Sequence, residues 1–344
     1  MSQPPRPLVM RCGAFGDMVL LTPLIRALAT RFDSAVDIVT SGGWSLPLLE
    51  QQSGVGAVYL LESRRRPWLI SPDQWRLVRQ LRARGQGPTW FLDPAGIGKS
   101  LLTRAGIDSD WIVDGDDYPR RDGEHYLERF ARIGAVVPRA LGATAGASAA
   151  VTGTVLSVSA AARADLQRWL AARGLGAQRL LLLQAGNKRT MRRGDRRRGS
   201  NSKYWPEQRW GKLIAAMRAR CPAHAIVLLG VPSEHALNED IARAAATSGV
   251  INAAAELPIP RLLALLEHAD GLVSVDTGPA HAAAALGLPQ VVLFGAADPA
   301  LYRPWGAAGA PVECVAVAPP GPLEGLDAGP VIAAFERLRL RASA

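Results

Sequence analysis

Short apolar runs that end in small or acidic residues and lead into helical stretches recur along this chain. That alternation restricts its fold more than any other feature. Residues 7–11 form such a run, ending in the loop Cys12-Gly13-Ala14-Phe15-Gly16-Asp17. A helical spacing over 18–31 follows, with Leu20, Leu21, Leu24, Ile25 and Leu28 on one face. Pro23 either kinks this helix or marks its true start after Thr22. Residues 36–40 and 89–92 read as further strands, the latter closing in Asp93-Pro94. Strands alternating with helices predict parallel βαβ units.

Residues 140–162 are rich in Ala, Gly, Ser and Thr, which marks the approach to a domain boundary, although 151–158 could still form a strand. A second α/β series follows. Strands are expected at 179–184, 225–230, 271–275 and 289–294. Helices are expected at 206–219, 233–247 (which Ser233 could cap), 259–268 and 279–286. A last helix at 329–341 is left free to pack back on the first domain. A chain of 344 residues suits two domains, because single cores rarely grow beyond about 250–300 residues. The expected fold is α/β, with parallel-sheet domains at 1–160 and 161–326 and a C-terminal helix at 327–344. A ligand is expected in a cleft between the domains, beyond the carboxyl ends of their strands.

The net charge of +10 implies attraction to something anionic. Nucleic acid, an acidic membrane face and a phosphorylated glycolipid all fit, as does a genome that simply uses arginine heavily. Cys12, Cys221 and Cys314 are widely spaced and odd in number, which favours a reducing compartment and argues against structural zinc. His125, His224, His235 and His268 lack metal-ligand spacing, so no metal is expected. No apolar stretch reaches the roughly 20 residues of a membrane span, and no leader pattern opens the chain. The expectation is a cytoplasmic protein whose charge admits peripheral contact with the inner face of the cytoplasmic membrane.

Three segments carry chemistry. In the first, a buried strand runs into Asp276-Thr277-Gly278, and Pro279 suits the opening position of the next helix. Free N–H groups and the helix dipole there make an anion site fit for a diphosphate, with His281 one turn in. A capped turn without a ligand is the competing reading. In the second, Gly13 and Gly16 allow a close backbone approach, and Asp17 is placed either to take a proton from a hydroxyl or merely to cap its helix. The third is the basic stretch 188–198, followed by Lys203-Tyr204-Trp205-Pro206. A lysine here can reach phosphate, whereas the arginine run suits a solvated face or an acidic contact. RNA binding is disfavoured, because the run lacks interleaved aromatics. Gly98-Lys99-Ser100 imitates the end of a P-loop, but Asp93 stands where the first glycine belongs. Lys99 is retained only as a cleft-lining candidate.

Taken together, these segments resemble glycosyltransferase family 9, the bacterial heptosyltransferases of the lipopolysaccharide inner core. The likeness is carried by residues 11–17 with Thr22-Pro23, by Trp205-Pro206 with Trp210, and by Leu228-Leu229-Gly230 with Glu234. It continues through Asp276-Thr277-Gly278-Pro279-Ala280-His281, Phe294-Gly295-Ala296-Ala297-Asp298-Pro299 and Pro304-Trp305-Gly306. The resemblance implies a GT-B architecture of two Rossmann-like domains, acceptor on the first and nucleotide sugar on the second. It also implies inverting, metal-independent transfer from a nucleotide-activated heptose such as ADP-heptose to a glycolipid or glycan hydroxyl. On that pattern Asp17 is the general base, Lys203 with Thr277 and Gly278 holds the diphosphate, Asp276 meets the heptose, Glu234 the ribose, and His281 supports the turn. Lys188 is a second candidate for the lysine. The chain departs from the family in having Gln184-Ala185-Gly186-Asn187 where a His-Pro-Gly type turn is usual, and in its arginine-rich insertion. A non-catalytic nucleotide-sugar-binding protein and a basic RNA-binding protein are the alternatives.

Overall fold

The structure is a computed structural model that describes residues 6–96, 98–144, 152–187 and 201–341. It divides into two compact units, Met1–Gly153 and Thr154–Ala344. The first is built on strands β1 (Leu8–Met10), β2 (Val36–Thr40), β3 (Val55–Leu60), β4 (Thr89–Phe91) and β5 (Ile112–Asp114). All pair in parallel, in the order β3-β2-β1-β4-β5. The second is built on β6 (Arg179–Gln184), β7 (His224–Leu228), β8 (Val250–Asn252), β9 (Gly271–Val275), β10 (Gln290–Phe294) and β11 (Val312–Ala316). These are again all parallel, in the order β11-β10-β9-β6-β7-β8.

Both sheets reverse direction after their third strand, which is the doubly wound, Rossmann-like order. The reversal leaves a switch point between β1 and β4 in one unit and between β6 and β9 in the other. Crossover connections leave those two strand pairs in opposite directions, so a crevice opens beyond their carboxyl ends. The local sequence supports the arrangement. Leu181, Leu182 and Leu183 on β6 and Val273 and Val275 on β9 are wholly buried, as strands covered on both faces require.

The stretch 18–31 is not one helix. It breaks at Leu21 into Phe15–Leu20 and Thr22–Phe32, and Pro23 lies in the first turn of the second, where its missing N–H costs nothing. Ser233 caps no helix. It lies in the 3₁₀ turn Pro232–Glu234, ahead of the helix His235–Ala245. Residues 152–158 contain no strand, only a single bridge from Thr154 to Gly306, with the Thr154 N–H donating to the Trp305 carbonyl at 2.8 Å. That tie draws Thr154 into the second unit, and the division after Gly153 lies within the Ala-, Gly-, Ser- and Thr-rich stretch 140–162. The terminal helix Ala328–Arg337 also belongs to the second unit. Val331 and Phe335 enter its core, and Arg220 Nη2 donates to the Leu338 carbonyl at 2.7 Å. The same core is pinned by Trp205 and Trp210, packed edge to face at 4.8 Å, with Trp205 Nε1 donating to the Leu326 carbonyl at 2.7 Å.

Candidate functional site

At the switch point of the first unit, the chain leaves β1 through Arg11 and turns over Gly13 into the helix carrying Asp17. Asp17 Oδ2 accepts the Ala14 N–H at 2.7 Å and Oδ1 accepts Arg11 Nη2 at 2.9 Å. The carboxylate that closes the helix start is therefore the same one that stands as the candidate base. One lone pair of each oxygen is used, and the side chain remains about a third exposed. A Cβ on Gly13 would fall 2.4 Å from Asp17 Cβ, so only glycine lets the carboxylate fold over the turn. Gly16 is an ordinary helical residue.

The neighbouring strand braces this loop. Arg11 Nη1 donates to the Leu92 carbonyl at 2.7 Å, and the Cys12 N–H donates to Asp93 Oδ1 at 2.6 Å. Arg64 Nη1 donates to the Cys12 carbonyl at 2.6 Å. Asp93 is buried, and desolvation pushes its carboxyl above the usual carboxylate range against the pull of the Cys12 hydrogen bonds and of Arg11 and Arg64. Cys12 is buried beside it, which pushes its thiol up, so it is a packing residue and not a nucleophile.

At the second switch point, Lys203 Nζ donates to the Asp276 carbonyl at 2.8 Å and to its Oδ2. His281 Nε2 lies 3.9 Å from the other carboxylate oxygen. Thr277 is the N-cap of the helix Gly278–Ala285, yet its side chain makes no cap bond. Its hydroxyl instead meets Ser274 Oγ at 3.0 Å. The helix therefore opens with backbone N–H groups that neither its own first turn nor its cap satisfies, beside an ammonium. This combination suits an anion with two or more charges.

The loop after β6 forms the other wall. Gln184 Nε2 donates to the Gly186 carbonyl at 2.8 Å and Asn201 Nδ2 to Asn187 Oδ1 at 3.2 Å, while Asn201 Oδ1 accepts the Lys203 N–H at 3.1 Å. Glu234 lies against this loop, taking the Val231 N–H at 3.0 Å and Gln184 Nε2 at 3.4 Å. A Cβ on Gly186 would fall 2.5 Å from the Glu234 carboxyl carbon. Burial pushes the Glu234 carboxyl upward.

The structure thus gathers Lys203, Asp276, Thr277, Gly278 and His281 at one switch point, with Glu234 at its β6 side, and puts Gly13 and Asp17 at the other. The Lys99 ammonium is bonded to Asp114, at the carboxyl end of the edge strand β5. Lys188 and the arginine-rich stretch 188–198 lie outside the described residues. Sequence reasoning missed Asp93, Arg64, Asn201 and Gly186. Only the position of Asp93, directly after a strand, offered a signal. Among the described residues no group of three or more His, Cys, Asp or Glu side chains converges as metal ligands do, and no helix is long and apolar enough to cross a membrane.

Comparison with known proteins agrees with this arrangement. Residues 195–314 match the model of glycosyltransferase family 9 (heptosyltransferase). The chain is 26% identical over 307 residues to lipopolysaccharide heptosyltransferase 3 of Escherichia coli, covering 84% of this chain and 83% of that one. Among solved structures, it is similar to a glycosyl transferase family 9 protein from Veillonella parvula, with a TM-score of 0.75 at 18% identity over 98% of this chain and 97% of that one. It is also similar to E. coli heptosyltransferase WaaC with ADP, with a TM-score of 0.67 at 21% identity over 96% and 99%.

Proposed function

We propose that the chain is a family 9 glycosyltransferase of GT-B fold that moves a heptose, or a related sugar, from ADP-heptose to a hydroxyl of a lipopolysaccharide-core acceptor. The observation that carries this reading is the Lys203 ammonium fixed on Asp276 at the N-terminus of the helix Gly278–Ala285.

The reaction is a single displacement. The acceptor oxygen forms a bond to the anomeric carbon as the bond from that carbon to the diphosphate oxygen breaks. The electron pair leaves with ADP, the acceptor proton passes to Asp17, and the anomeric centre inverts. Charge grows on the departing diphosphate, and it is met by Lys203 and the N–H groups at Gly278 without a metal. Asp276 contacts the heptose, Glu234 the ribose, and His281 holds the turn. Arg11 and the Ala14 N–H support the role of Asp17 by fixing its rotamer while leaving lone pairs for a proton.

The test is Asp17→Asn, assayed for sugar transfer and for binding of ADP-heptose. Turnover is expected to fall by about 10²–10⁴-fold with donor affinity unchanged. Unchanged turnover, or lost binding in its place, would remove Asp17 as the base. Absence of transfer by the wild-type chain across a panel of nucleotide sugars would favour a binding protein of the same fold.

A further inference from the structure

Four large apolar side chains of the described residues stand exposed, and three of them fall in one short stretch of the first unit. Leu69 is 81% exposed, Ile70 65% and Trp75 40%; the fourth, Val231, is in the second unit. Leu69 and Ile70 form the tip of a 3₁₀ turn, Trp68–Ile70, immediately before the helix Pro72–Arg84. The chain around them is basic. Arg64, Arg65, Arg66, Arg76 and Arg79 lie within ten residues of the tip, against Glu62 and Asp73. Arg65, Arg66, Arg76 and Arg79 are exposed.

The tip is held in place from beneath. Asp73 accepts the Ser63 N–H and the Ser71 hydroxyl, both at 2.7 Å, and these bonds pull its carboxyl below the usual range against the opposing effect of burial. Gln74 Nε2 donates to the carbonyls of Ser63 and Arg66 at 2.7 and 2.9 Å. Trp75 Nε1 donates to the Trp68 carbonyl at 2.7 Å, and Arg104 stacks over the Trp68 ring at 4.7 Å. Asp73, the nearer of the two acidic residues, is thus already bonded, and the exposed apolar side chains ride on an ordered support. Order at the tip means that little conformational entropy is left to lose on docking.

We propose that this turn is a membrane-docking surface. Leu69 and Ile70 enter the headgroup and acyl boundary of a bilayer, Trp75 lies at its interface, and the exposed arginines bind anionic phospholipid headgroups. An apolar tip within a cationic rim matches that surface on both counts, because neither feature alone gives firm attachment. The charge complementarity selects an anionic bilayer as the partner over a protein of mixed charge. Arg64 joins the surface to the catalytic loop, since its guanidinium is bonded to the Cys12 carbonyl five residues before Asp17. Docking would therefore set that loop close to the plane in which a glycolipid acceptor is presented. The proposal does not depend on the transfer reaction, because lipid binding is measured with neither donor nor acceptor present.

The test is sedimentation of the full chain with vesicles of phosphatidylethanolamine and phosphatidylglycerol, compared with vesicles of phosphatidylcholine alone. Binding is expected to the anionic vesicles and to weaken with salt. Leu69→Ser with Ile70→Ser, which leaves the charge unchanged, should lower the partition coefficient by at least about tenfold. Arg65→Gln with Arg66→Gln should lower it by about 30-fold, at about fivefold or more for each cation. Two controls should bind as wild type: Val231→Ser for the tip, and Arg168→Gln with Arg243→Gln for the charge. Binding that ignores the tip substitutions, or that falls equally in the charge control, would reduce the effect to net charge and overturn the proposal. Binding that appears only when the vesicles contain a lipopolysaccharide-core glycolipid would also overturn it, in favour of acceptor recognition.

Discussion

Replacing Gly13 by alanine tests the geometry of the loop that holds Asp17, the proposed base, without touching a charged group. The added methyl would lie 2.4 Å from Asp17 Cβ and 2.8 Å from its Oδ2, where ordinary contacts begin at 3.4 Å. Asp17 must therefore withdraw by about 1 Å, and misplacing a reacting group by that distance costs on the order of 100-fold in rate. The withdrawal also strains the bonds from Arg11 and the Ala14 N–H, both under 3 Å in the native loop. Relief of the overlap should cost about 1–3 kcal/mol of stability, too little to unfold a domain of this size. Steady-state kinetics with varied donor should then show kcat down about 100-fold and the donor KM nearly unchanged, because the proposed donor residues are all in the other unit. Gly43→Ala, where an added Cβ meets nothing within 4 Å, is the matched control. A folded Gly13→Ala protein with wild-type kcat would refute the idea that Asp17 must sit where the structure puts it.

Lys203→Met should lower kcat/KM for the donor by about 10²–10³-fold, because one preorganised cation on the leaving group is lost; an unaffected value would take Lys203 out of the donor site. Glu234 gives a pH signature. Burial raises its carboxyl above the ordinary 4.5, so its contribution to stability is full below that value and is lost as pH rises through the folded one. Glu234→Gln should therefore gain stability relative to wild type as pH rises above the ordinary carboxylate value, read from urea midpoints, and a difference that stays constant as pH rises would count against the burial argument.

What the sequence showed of the fold follows from where each strand sits. The apolar runs at 7–11, 36–40, 89–92, 179–184, 225–230, 271–275 and 289–294 correspond to β1, β2, β4, β6, β7, β9 and β10. Those are the interior strands of the two sheets, covered on both faces. The four strands not anticipated, β3, β5, β8 and β11, are the sheet edges. Their side chains are mostly only part buried, as at Val250–Asn252, so no continuous apolar run announces them.

The site divides the same way. Asp276-Thr277-Gly278-Pro279 was legible because strand, turn and helix start are adjacent in the chain. The bracing of Arg11 by the Leu92 carbonyl spans 81 residues, and the link from Asn201 to Asn187 crosses the arginine-rich insertion. Contacts at such separations leave no local pattern. The partner of Lys99 was hidden for a related reason: motif spelling could not reveal that β5 delivers Asp114 to it.

The bond between Lys203 and Asp276 has a consequence for the pace of the cycle. On the proposed reading, a diphosphate and the Asp276 carboxylate are rivals for one ammonium. Donor entry is then an exchange of anions, and the affinity gained is the difference between two ion pairs. When transfer is complete, Asp276 can reclaim the lysine and so help to expel the spent nucleotide. A lysine without such a rival would hold ADP more tightly and release it more slowly.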